Sequence, residues 1–162
     1  MRLLDQIRRE CSGALLDYCG EARRRRVALG PGTKALIIKG EKLASSFKNG
    51  DSRSGGHCDC IIIFSSGNEL RVAVIENKKA NIKATHAIEQ IENCFMLARR
   101  LLAPHARHYK IVYRLAIYAQ GGWFKSDIEK IEARNRKKYQ EPPIRRRKYD
   151  MNILTLFEGA KK

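Results

Sequence analysis

The chain has 162 residues, of which 43% are hydrophobic and 31% charged, a balance that fits one folded domain and excludes wholesale disorder. Lysine and arginine number 33 against 17 acids, giving a formal net charge of +16 and an isoelectric point near 10.0. No run approaches the ~20 apolar residues that cross a bilayer, and charges within residues 1–10 break up any secretory leader.

In chain order, Leu3, Leu4, Ile7, Cys11, Ala14, Leu15 and Tyr18 share one stripe at helical spacing, which predicts a helix over 2–19 ending near Gly20. A basic run follows at Arg23, Arg24, Arg25 and Arg26, then a turn at Gly30-Pro31-Gly32 and a short strand over 35–39. Residues 40–57 are mixed, with a loop over 49–56. The apolar run 58–64 suits a strand covered on both faces, Ser65-Ser66-Gly67-Asn68 has hairpin chemistry, and 70–78 alternates as a returning strand. Residues 84–102 form an amphipathic helix closed by Pro104, and 109–119 reads as a strand. Ser126 with Glu129 three positions on has capping-box spacing and opens a helix to about Lys138. A second basic run (Arg145, Arg146, Arg147, Lys148) follows Pro142-Pro143, and 151–157 reads as a last strand. The expected fold is a single α/β domain over 1–162 with a central mixed sheet flanked by helices.

The basic excess is spread along the chain, so the folded body itself is expected to be positive and to attract a polyanion. Nucleic acid is the expected partner and a membrane surface is not, because no clear basic amphipathic helix or lipidation signal is present. The expected location is cytoplasmic: nucleoid-associated in a cell, or the host cytoplasm if viral. The cysteines (Cys11, Cys19, Cys58, Cys60, Cys94) read as reduced, mostly buried thiols, and the His57-Cys58-Asp59-Cys60 cluster lacks a second ligand pair for zinc.

Chemistry concentrates at the hairpin. Asp59 opens one strand and Glu76 and Lys78 close its partner, and residues two apart in a strand share a face. Antiparallel pairing therefore brings Asp59, Glu76 and Lys78 to one end of the sheet. Two adjacent carboxylates repel unless a cation sits between them, and Mg²⁺ prefers such oxygen donors.

The pattern Asp-x16-Glu-x-Lys across a hairpin, followed by an amphipathic helix, resembles the PD-(D/E)xK nuclease superfamily. The resemblance implies a restriction-endonuclease-like fold with an αβββαβ core. It implies hydrolysis of phosphodiester bonds, DNA being favoured over RNA, with Mg²⁺ or Mn²⁺. Asp59, Glu76 and the main-chain carbonyl of Asn77 would be the metal ligands, and Lys78 the base or orienter of water. Gln90 on the following helix matches the Gln-x-x-x-Tyr of RecB-like members, although Cys94 stands in place of the Tyr. Glu10 or Glu41 would be a third acid. Size and charge are similar to archaeal Holliday-junction resolvases, which implies a homodimer. The basic runs, with Lys79 and Lys83, would contact phosphates. Trp123 and Phe124 read as core packing, with base stacking the second reading. The alternative is a basic nucleic-acid-binding protein, an inactive relative or a complex subunit, that binds with steep salt dependence and turns nothing over.

Overall fold

The two strands read from the isoleucine run and the alternating run are the centre of one larger sheet. The computed structural model describes residues 2–20, 26–47, 56–78 and 83–158. Among these residues six strands lie side by side in sequence order: β1 (Leu15–Leu16), β2 (Ala35–Lys39), β3 (Cys60–Ser66), β4 (Glu69–Lys78), β5 (Lys110–Ala119) and β6 (Ile144–Arg147). β1 to β4 run antiparallel, the β3–β4 turn being set by Gly67 at φ 58°, and β5 and β6 then join in parallel. A parallel return needs a crossover. Helix α3 (Ala84–Leu102) supplies it between β4 and β5, and α4 (Lys125–Lys137) between β5 and β6; α1 (Arg2–Glu10) and α2 (Gly40–Ser46) complete the helices. The fold is therefore α/β with a mixed sheet flanked by helices, as expected.

Alternation along the strands builds two cores. One face carries Ile61, Ile63, Val72, Val74, Leu115 and Ile117, packed against apolar residues of α1, α2, α3 and α4. The other carries Ile62, Phe64, Ala73, Ile75, Ala116 and Tyr118, covered by Val27, Tyr149 and a 3-10 helix, Ile153–Phe157. Among the described residues no helix is long and apolar enough to cross a membrane.

Several local expectations are corrected. The first helix stops at Glu10; a 3-10 turn over Ser12–Ala14 follows, and Leu15 and Leu16 pair with Ile38 and Ile37 instead of extending the helix. Gly13 weakens a helix there, while the edge of β2 offers backbone partners. Residues 40–46, expected to be irregular, form helix α2. The capping box does not form: α4 begins at Lys125 with no side-chain bond at its N-cap, and Asp127 Oδ1 instead accepts from the Ala84 N–H of α3 at 3.4 Å. The second basic run lies largely in strand β6, whose Ile144 is held through both backbone groups by the Asn135 amide at 2.9 and 3.0 Å. Residues 151–157 form no strand. Asn152 caps the 3-10 helix there, which lays Ile153, Leu156 and Phe157 on a sheet face that would otherwise be wet.

The cysteines also depart from the expectation of free thiols. Cys19 is joined to Cys60 and Cys58 to Cys94, with Cα separations of 6.0 and 5.8 Å, inside the usual range for disulfides; Cys11 is free and buried. A bend at Asp59 breaks the strand alternation, so Cys58 faces α3 while Cys60 faces the opposite core.

Candidate active site

The site is built where the β3–β4 ladder ends. Cys60 pairs with Ile75 as the last regular rung. The next rung, Asp59 opposite Glu76, is closed by side chains. The Asp59 N–H donates to Glu76 Oε1 at 3.2 Å, and the Asn77 N–H donates to Asp59 Oδ2 at 2.6 Å. Glu76 and Lys78 share the helix-side face with Val72 and Val74, beneath the start of α3. Lys78 Nζ lies 3.3 Å from Glu76 Oε2 and donates to Gln90 Oε1 at 3.4 Å. Gln90, in the second turn of α3, donates in turn to the His57 carbonyl at 3.3 Å. One turn further along α3, Asn93 donates to the Gly56 carbonyl at 2.7 Å, and Cys94 holds Cys58. α3 thus grips the three residues that lead into Asp59. Asp59, Glu76, Lys78 and Gln90, four residues from three separate segments, meet in one network.

Electrostatics follow from burial. Glu76 is only 1% exposed, and its carboxyl is pushed up from 4.5 to about 9. Desolvation is the largest cause, followed by the hydrogen bond and the charge of Asp59, with Lys78 opposing them. At neutral pH the metal-free protein therefore holds a proton at Glu76. The two carboxyl groups supply only oxygen donors, the kind a hard divalent ion takes while keeping waters. Among the described residues no group of three or more His, Cys, Asp or Glu side chains is placed to hold a metal ion.

The remaining expectations divide. The Asn77 side chain turns to the opposite face, Nδ2 lying 3.6 Å from Cys19 Sγ, so only its main chain faces the acids. Glu10 is not at the site. It lies 3.6 Å from buried His105, beyond the C-terminal end of α3, and Gln90 is roughly 18 Å of helix away from that end at ~1.5 Å per residue. Glu41 is exposed in the first turn of α2 and does not line the cavity beside Asp59. That cavity, about 460 Å³, is lined instead by Asp17 and Tyr18 with Lys39, Asp59 and Asn77. Asp17 falls within the stretch whose spacing predicts a helix, and no spacing signal singles it out.

Of the basic residues, Arg26 stacks 3.6 Å over the Tyr18 ring and so borders the Asp59 cavity. Lys83 precedes α3 and lines a hollow with Asp127 and Lys130. Arg145, Arg146, Arg147 and Lys148 line a cavity with Trp123, although Arg147 is also engaged by the Asn152 carbonyl at 3.3 Å and the Thr155 hydroxyl. Arg23, Arg24, Arg25 and Lys79 lie outside the described residues. No family model matches the chain, and no curated protein and no solved structure matches it either.

Proposed function

We propose that the chain is a divalent-metal-dependent nuclease of the PD-(D/E)xK type acting on DNA. The observation that carries the reading is the network of Asp59, Glu76, Lys78 and Gln90 at one rim of the sheet. With β1 and the inserted helix α2 set aside, the order α1-β2-β3-β4-α3-β5 supports it as well, being the αβββαβ order of that superfamily. Asp59 and Glu76 hold Mg²⁺ or Mn²⁺, with the Asn77 main-chain carbonyl as a further donor. Bound there, the ion acidifies a water and offsets charge on the phosphate. Lys78, fixed between Glu76 and Gln90, orients the attacking water and adds a positive charge beside the phosphate. Gln90 holds Lys78 in place and ties it to the His57 backbone. The net charge of +16 steers the polyanion to the site.

The test is cleavage of supercoiled, branched and single-stranded DNA, and of RNA, with Mg²⁺, Mn²⁺ or EDTA. Asp59→Asn, Glu76→Gln and Lys78→Met are each expected to lower the metal-dependent rate at least ~100-fold, the scale of a lost electrostatic group. Cutting that survives all three substitutions would remove the site. Salt-sensitive binding with no turnover by any of the proteins would leave the non-catalytic reading. Sedimentation with and without DNA tests the proposed homodimer.

A further inference from the structure

A second feature lies on the same face and the same rim as the acids. β4, β5 and β6 run parallel, and Glu76 is in register with Ile117, which is in register with Arg146. Partners in register project to the same side, so Arg146 stands on the helix side of the sheet, two strand spacings (about 10 Å) from Glu76. The carboxyl ends of parallel strands are where open α/β sheets take their ligands. Beyond β6 the helix-side surface opens into a cavity of about 640 Å³. Its walls are Trp123, Ile131, Ile144 and Met151 on the apolar side and Arg146 and Lys148 on the charged side, with Glu132 at one edge. That volume lies within the usual ~300–1,000 Å³ of ligand pockets.

The chemistry is that of a ring binder beside an anion binder. The Arg146 guanidinium sits over the Trp123 indole, 5.6 Å from its centroid, and Trp123 is half-buried, with its inner side against the core. A base would take the indole face that Arg146 now covers, the guanidinium moving aside onto the phosphate of that nucleotide. Between this cavity and the acids the rim is formed by the turn after β5. There Gly121 and Gly122 are exposed, and a side chain at Gly121 would meet nothing within 4 Å. Among the described residues, that stretch leaves room for a strand of nucleic acid to pass. About three stacked nucleotides, at ~3.4 Å each, cover the span.

We propose that the Trp123–Arg146 cavity is a subsite for an unpaired nucleobase of the substrate strand, placed about three nucleotides from the Asp59–Glu76 site. The inference rests on the nuclease reading and narrows it to single-stranded or unpaired DNA, since a base held inside a duplex cannot reach the indole. Trp123 is the single tryptophan of the chain, so its fluorescence, excited at 295 nm, reports this cavity alone.

The experiment titrates the full-length protein in EDTA with a fluorescein-free decathymidylate, a blunt ten-base-pair duplex and heparin, and follows binding in parallel by anisotropy of labelled copies. Decathymidylate is expected to quench Trp123 strongly, while the duplex and heparin bind with little quenching. Trp123→Ala should weaken decathymidylate binding about tenfold or more, the scale of a lost stacking contact, and Trp123→Phe should restore much of that loss, while Arg146→Gln should weaken binding and make it less salt-dependent. Binding without quenching, equal quenching by heparin, or no binding of decathymidylate would each overturn the subsite. A separate Mg²⁺ cleavage assay keeps the two readings apart. Cleavage without quenching sinks the subsite alone, and quenching without cleavage of any DNA sinks the nuclease reading while the base site stands.

Discussion

Replacing Glu76 by glutamine isolates the central physical feature of the site. The folded-state carboxyl holds its proton up to about pH 9, whereas an ordinary carboxyl releases it near 4.5. Across that window the native state binds more protons than the unfolded chain, so stability falls as pH rises. The contribution is fully present below about pH 4.5 and is lost as pH passes through 9. Between pH 7 and 9.5 the loss is about 2–3 kcal/mol, from ~1.36 kcal/mol per pH unit while Glu76 remains protonated. For a chain of this length that is roughly 5–10 °C in Tm. Glutamine matches the protonated carboxyl in shape and cannot ionise. In EDTA, Glu76→Gln is therefore expected to resemble the wild type at pH 7 and to exceed its Tm by several degrees at pH 9.5. Thermal unfolding by circular dichroism at both pH values gives the comparison. Parallel pH profiles for the two proteins would refute the reasoning, because groups other than Glu76 titrate alike in both. A linked consequence is that Mg²⁺ or Mn²⁺ binding at pH 7.5 should release close to one proton per site, read by calorimetry in buffers of differing ionisation enthalpy.

Other predictions test the supports of the site. Arg134 is 7% exposed and bonds Glu92, Glu141 and the Pro142 carbonyl at 2.9–3.0 Å. Arg134→Met should cost about 2–3 kcal/mol in urea unfolding, less than the ~3–5 of a fully buried pair, since both acids stay partly wet; a loss under ~0.5 would contradict the packing. An added Cβ at Gly40 would press on Cys94 Sγ at 2.7 Å and on the Cys58 carbonyl, so Gly40→Ala should destabilise by about 1–3 kcal/mol and perturb the Asp59 amide in NMR spectra. Protein purified without reductant and then denatured should titrate one thiol, Cys11, and all five cysteines after reduction. Full titration before reduction would show the pairs to be unbonded.

Much of the fold was legible because its signals are local. The stripe at 84–102, the alternation at 70–78 and the isoleucine run each carry their own period, and α3, β4 and β3 appear within two residues of those expectations. The convergence of Asp59, Glu76 and Lys78 was legible too, since a short hairpin leaves only one register that buries both strands. Other features depend on partners distant in sequence. Leu15 and Leu16 keep helical spacing but pair with β2. Residues 144–147 join the sheet because β5 presents an edge, and 153–157 coil because a sheet face needs cover. The pairing of Cys58 with Cys94, the place of Asp17 in the Asp59 cavity and the seating of Arg146 over Trp123 were likewise decided in three dimensions. Periodicity states which side of an element is apolar, whereas which surface comes to lie against that side is a property of the assembled chain.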